Sequence, residues 1–206
     1  HNYCPLPLVT RLDRGPDMFS LCSRDEDERK LAVEYTKKTM DAARLVNARA
    51  VVLHSGRLRM RDKWTHDLIA LCDKGEGAGK KAQKLREKFW RKRNRKGPKH
   101  LDQVMRTMDE LNQYAVQIQI KLGLETRNWL NEMPTLDEFE AIFQEFEGGM
   151  LTYWHDVGHA QCKDYLGLES HDGYLKRLGR YLMGWHIHDI KGSRDHQEHQ
   201  AFVRGP

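Results

Sequence analysis

Four short apolar stretches of this chain each lead into a histidine or a carboxylate, and those residues fall in phase. Ala50-Val51-Val52-Leu53 runs into His54, Gln117 to Leu124 into Glu125, and Met150 to His155 into Asp156, while Tyr181 to Ile187 carries His186. Glu125 and Asp156 stand 31 residues apart, and Asp156 and His186 stand 30 apart. That interval is the length of one strand, one helix and their connections. His54 and Glu125 are 71 apart, one such unit plus inserted material. Strands alternating with helices specify a parallel sheet, because parallel neighbours need a crossover and cannot be joined by a tight turn. No sequence repeat accompanies the period, so the repetition is architectural.

The helical segments fit that frame. Asp25 to Asn47 opens on four acidic residues that suit a helix N-terminus, with Leu31, Tyr35, Met40 and Ala43 giving apolar spacing. Pro134 and Asp137 open a short helix that carries Phe139, Ile142, Phe143 and Phe146 and is closed by Gly148-Gly149. Gly173 to Arg180 supplies another. The inserted material, at about residues 78–99, is strongly basic and broken by Gly97-Pro98. It is expected to project as a helix with Leu85, Phe89 and Trp90 on its packed side and its cations in solvent.

Composition narrows the class. With 206 residues, 39% of them hydrophobic and 32% charged, the chain suits one domain with a sizeable core and excludes a disordered protein. No apolar run approaches the roughly 20 residues of a membrane span, and no signal-peptide pattern opens the chain. Cys4, Cys22, Cys72 and Cys162 form no CxxC pair and read as free thiols of a cytoplasmic protein. The chain begins at His1 without a Met and stops at Pro206 without a tail-like composition, so a fragment is expected.

The chemistry sits at the strand ends. In a parallel barrel all strand carboxyl ends meet at one face, where active sites are built. A single polar residue there is as readily a surface cap as a ligand, but four in phase argue for one shared site. A mixed set of histidines and carboxylates suits Zn, Mn, Co or Fe better than Mg or Ca, which favour oxygen shells. Asp156-Val157-Gly158-His159 lets two side chains turn into one site across a glycine, and strand alternation puts His186 and His188 on one face. Asp195, His196 and His199 follow in the next loop.

Taken in order, His54-Ser55-Gly56, Gly123-Leu124-Glu125, Asp156-Val157-Gly158-His159-Ala160 and His186-Ile187-His188-Asp189 resemble the xylose isomerase-like TIM-barrel superfamily. That group holds sugar and sugar-phosphate isomerases and epimerases together with metal-dependent apurinic endonucleases. The resemblance extends over essentially the whole chain. It implies a (β/α)8-type barrel, incomplete at both chain ends: His1 already stands at a strand end, and the isomerases' last metal-binding glutamate would lie beyond Pro206. It implies Glu125, Asp156 and His186 as ligands of a divalent metal, with Glu125 also moving the proton. His159 becomes a catalytic substrate contact, or in the endonucleases a further ligand. His1, His54 and Asp195 are further candidate ligands, and His54, His188, Arg127 and Trp129 candidate substrate contacts.

Two functions follow. The first is a metal-dependent isomerase or epimerase of a sugar, sugar phosphate or polyol, with a small-molecule sugar as partner and a homo-oligomer compatible with it. On that reading, replacing Lys92, Arg93 and Arg95 with Glu is expected to leave sugar turnover nearly unchanged. The second is an apurinic endonuclease. The net charge of +5 and the run Trp90-Arg91-Lys92-Arg93-Asn94-Arg95-Lys96 favour a nucleic-acid partner. A charge run at helical spacing is more often a solvated face. The spacing Asp195-His196-Gln197-Glu198-His199 also departs from the endonucleases' Asp-x-His pair.

Overall fold

The computed structural model describes residues 1–6, 17–60 and 63–188. Four strands form its sheet: β1 (Ala50–Leu53), β2 (Lys121–Glu125), β3 (Leu151–Asp156) and β4 (Leu182–His186). They lie in the order β1-β2-β3-β4, every neighbouring pair parallel, so consecutive strands are adjacent. Helix α1 (Glu26–Leu45) precedes β1, and α2 (Lys63–Asp73), α3 (Lys80–Ile118), α4 (Leu136–Glu145), α5 (Val157–Tyr165) and α6 (His171–Leu178) supply the crossovers. This is an arc of an α/β barrel, as the sequence led us to expect. No helix among the described residues is long and apolar enough to cross a membrane.

Alternation along the strands divides the arc into two faces. Val51, Leu53, Leu122, Leu124, Leu151 and Tyr153 join the buried core beneath α1, α3, α4 and α6. Each large apolar side chain buried there contributes about 1.5–3 kcal/mol. The alternate positions, among them Glu125, Trp154, Asp156 and His186, turn to the other face. The helix starts are fixed locally. Asp25 accepts from Asp27 N and Glu28 N to cap α1, and Thr135 with Glu138 forms a reciprocal capping box on α4.

Several expectations are corrected. The helix over the basic segment runs through Gly97-Pro98 without interruption to Ile118. Gly97 serves close packing there, since a Cβ would meet Arg93 Nη1 at 2.6 Å. Nor does its N-terminal half stand alone: Ala82 and Phe89 are buried with Leu68 and Leu71 of α2 in a second hydrophobic cluster that Leu85 and Trp90 flank. Arg93, expected in solvent, is buried and binds Glu138 through both terminal nitrogens at 2.8 and 2.6 Å. β2 begins at Lys121 rather than Gln117, because α3 continues to Ile118 and stops at Gln119 in the left-handed region, φ 60°. On α1 the buried face carries Ala32, Val33, Met40 and Ala43, and Leu31 is exposed. The four cysteines are free thiols, all but Cys4 buried.

Candidate functional site

Glu125, Asp156 and His186 are the last residues of β2, β3 and β4, and His54 follows β1 directly. The ladder sets Asp156 opposite His186 and Leu53 opposite Leu124, which brings these four ends to one level. His186 Nδ1 lies 2.9 Å from Glu125 Oε1 and 3.6 Å from Asp156 Oδ2, so one nitrogen faces both carboxylates. His54 Nε2 lies 2.8 Å from the other Glu125 oxygen, Oε2. His1 Nε2 is 3.6 Å from that oxygen, and its ring stacks on His186 at 5.0 Å. His1, Glu125 and His186 thus offer ligand atoms within 4.8 Å of one another. Asp156, His159 and His188 form a second such group.

The electrostatics follow from burial opposed by partners. Burial alone would raise Glu125, but hydrogen bonds from His186 and His54, with the charges of His54 and Arg127, hold it well below the usual carboxylate range. Asp156 is likewise lowered against its burial, chiefly by His186 and then by His159. The two carboxylates lift His186 to about 9, Asp156 foremost, although the shorter contact is with Glu125. Burial lowers His159, whose Nδ1 donates to the Thr126 carbonyl at 2.8 Å. That bond fixes the neutral tautomer and leaves the Nε2 lone pair available.

Asp156 holds two groups in place. Its Oδ1 accepts from His159 N at 2.9 Å, capping α5, and from His188 Nε2 at 2.8 Å. Its Oδ2 is buried and has no hydrogen-bond partner among the described residues. Gly158 makes the His188 contact possible, because a Cβ there would stand 2.1 Å from His188 Cε1. Gly158→Ala is therefore expected to drive His188 from Asp156 and to cost about 1–3 kcal/mol of overpacking. A helix-propensity gain of about 1 kcal/mol offsets part of that cost. Thermal denaturation measures the balance, and a rise in Tm would mean that the ring moves aside freely.

Of the other residues singled out in the sequence, Arg127 is engaged rather than available. Its Nη1 is 2.9 Å from His54 Nε2, and Nη2 is 3.2 Å from Glu132 Oε1 and 3.6 Å from Asp17 Oδ2. Trp129 is half-buried in the same loop, its ring edge-on to His66 at 5.8 Å. Asp195, His196 and His199 lie outside the described residues. Sequence reasoning missed Asp17, whose Oδ1 lies 2.8 Å from His54 Nδ1. His54 holds it at about 2 against the opposing effect of burial, and in turn Asp17 and Glu125 raise His54 despite its own burial. No local signal marks Asp17, which owes its role to tertiary contact alone.

The family model described as xylose isomerase-like TIM barrel matches residues 5–205. No curated protein matches the sequence. Among solved structures, a D-tagatose 3-epimerase-like protein aligns with a TM-score of 0.60 at 20% identity, over 86% of this chain and 55% of its own. The 3-keto-D-glucoside 4-epimerase of E. coli aligns at 0.57 and 13% identity, over 83% and 55%. D-allulose 3-epimerase from Methylomonas sp. aligns at 0.54 and 15% identity, over 82% and 48%. At these identities the likeness is one of fold, and the chain spans about half the length of these structures.

Proposed function

This chain belongs to the xylose isomerase-like TIM barrel family, and from that premise we propose that it is a divalent-metal-dependent isomerase or epimerase of a sugar, sugar phosphate or polyol. The observation that carries the reading is the convergence of Glu125, Asp156 and His186, with the buried Asp156 Oδ2 making no hydrogen bond among the described residues and facing only the ring nitrogens of His159 and His186 at 3.5 and 3.6 Å. An unpartnered buried carboxylate oxygen is costly, and a cation beside it removes that cost. The donor set fits a borderline metal such as Zn, Mn, Co or Fe. The free thiols suit a reducing compartment, and the cytoplasm is the proposed location.

A divalent cation bound by Glu125, Asp156 and His186 would polarise a substrate carbonyl and its neighbouring hydroxyl, acidifying the C–H between them. Glu125 serves as the base that takes this proton on a carboxylate oxygen. His186 must give up its proton to act as a ligand, so metal retention should weaken as the pH falls. His159 presents Nε2 to a substrate hydroxyl, its orientation fixed by Thr126. Arg127 and His54 hold the outer side of Glu125, and Trp129 offers an apolar edge to a sugar ring.

The test is elemental analysis of the full-length protein together with deuterium exchange into a panel of ketoses, followed by NMR. About one metal equivalent per chain and metal-dependent exchange next to the carbonyl are expected. Absence of both overturns the reading. The second group, Asp156, His159 and His188, favours an alternative: two or three equivalents and cleavage of abasic DNA would assign an apurinic endonuclease instead.

A further inference from the structure

Behind the site, on the side of β3 that faces the helices, lies a set of buried polar groups that the proposed chemistry does not use. Thr126, Tyr153 and His155 are fully shielded from solvent. Tyr153 and His155 alternate with Trp154 and Asp156 along β3, so they point away from the carboxylates. Thr126 Oγ1 lies 2.5 Å from Tyr153 Oη, and Tyr153 Oη lies 2.6 Å from His155 Nδ1. His155 Nε2 is 3.0 Å from Nε2 of His171, the first residue of α6. From there His171 Nδ1 reaches Gln161 Oε1 on α5 at 3.0 Å.

The chain of bonds closes on itself. Gln161 and His159 stand two apart on α5, and His159 Nδ1 donates to the Thr126 carbonyl at 2.8 Å. Thr126 is thereby held at every polar atom. Its N–H donates to the Trp154 carbonyl at 3.1 Å, its carbonyl accepts from His159, and its hydroxyl meets Tyr153. Helix α5 is in turn tied at both His159 and Gln161.

The circuit also has a direction. An amide oxygen only accepts, so His171 carries its proton on Nδ1 and offers a lone pair at Nε2. Burial, and after it the neighbouring His171, lowers His155 to about 4, which leaves that ring neutral with a single N–H. His155 Nε2 must hold this proton to donate to His171, and Nδ1 then accepts from the Tyr153 hydroxyl. Tyr153 in turn accepts from Thr126. Reversal would bury the Thr126 hydroxyl proton without an acceptor, since Tyr153 is its one partner among the described residues.

We propose that Tyr153 is a positioning residue that sets the His159 imidazole toward substrate through Thr126. The proposal rests on the isomerase reading, in which His159 meets a substrate hydroxyl through Nε2. Closure of the circuit on α5 carries it, because the group that Thr126 orients lies on the helix to which the other end of the circuit is fastened. Core packing does not account for the hydroxyl. The Tyr153 ring packs edge-on against Phe139 at 5.4 Å, a contact that phenylalanine would make equally well.

Tyr153→Phe in the full-length protein keeps the ring and removes the hydroxyl. Its kcat should fall about 10- to 100-fold, the usual cost of losing an orienting partner, with metal content unchanged. In a His159→Asn background the same substitution should change turnover by less than about twofold, because the group it orients is gone. An equal loss in both backgrounds would make Tyr153 merely structural and overturn the proposal. Long-range proton–nitrogen NMR spectra of the imidazoles, taken at mildly alkaline pH, need no turnover, and their first reading needs no variant. In the wild type His155 should carry its proton on Nε2, and His159 and His171 on Nδ1. A proton on His155 Nδ1 or on His171 Nε2 overturns the circuit. In Tyr153→Phe the His159 signals should shift or split, and unmoved signals overturn the proposal. The spectra also separate it from the reading beneath it. Disturbed His159 signals in the variant, without deuterium exchange on any sugar, uphold the orientation of His159 by Tyr153 and refute the isomerase. Exchange on a sugar by the wild type, with His159 unmoved in the variant, does the reverse.

Discussion

Glu125→Gln and Asp156→Asn in the full-length protein should each abolish metal retention and isomerisation together. Both substitutions keep size and shape, and the side-chain carbonyl left by Asp156→Asn can still accept from His159 N, so the α5 cap survives. What each removes is charge at the point where His186 faces two carboxylates. Changes one shell further out typically cost 10–100-fold in metal affinity, so loss of a direct ligand should exceed about 100-fold. His159→Asn should behave differently. Its Nδ1 is held by Thr126, so the role left to it is through Nε2 toward substrate. Turnover should fall by about 10²–10⁴, the usual weight of a general acid–base group, with metal content unchanged. Elemental analysis beside a turnover assay reads both outcomes. Wild-type metal content in Glu125→Gln and Asp156→Asn would refute the centre, and loss of an equivalent in the His159 variant would make His159 a ligand of a multinuclear site.

The second large effect lies away from the chemistry. Glu138→Ala should destabilise the fold by about 3–5 kcal/mol, because it strands the buried Arg93 guanidinium. The same change also breaks the capping box, in which Glu138 Oε2 accepts from Thr135 N at 2.9 Å. For a domain of this size each kcal/mol shifts Tm by about 2–4 °C, so a fall of about 10 °C is expected. Glu138→Gln separates the two contributions, since glutamine keeps the cap and loses the charge. The double variant Arg93→Met, Glu138→Leu should recover much of the loss by removing both ions. A shift below about 2 °C in Glu138→Ala would mean that Arg93 reaches solvent at little cost.

The same ion pair marks a limit of the sequence. Arg93 sits within a run of cations, and helical spacing alone assigns that run to solvent. Only the packing of α4 against α3 turns this one residue inward, with Gly97 leaving room for it. Gly97-Pro98 reads as a break, yet α3 continues, because the buried face from Val104 to Ala115 holds it against the sheet and outweighs one missing backbone bond. Val116 to Ile120 alternates like a strand, and that same face keeps its first residues helical.

The sequence by itself determined the parallel order of the strands, the residues at their carboxyl ends and the family resemblance. Crossover lengths and the period-2 alternation are local properties that a linear chain displays. The tertiary structure alone decided that Asp17 supports His54, that Arg127 is engaged, and that cations of α3, the loop after β1 and the approach to α1 share one cleft. These are contacts between residues tens of positions apart, and no local propensity encodes them. They exist because burying the helix faces on the sheet fixes where distant side chains come to rest.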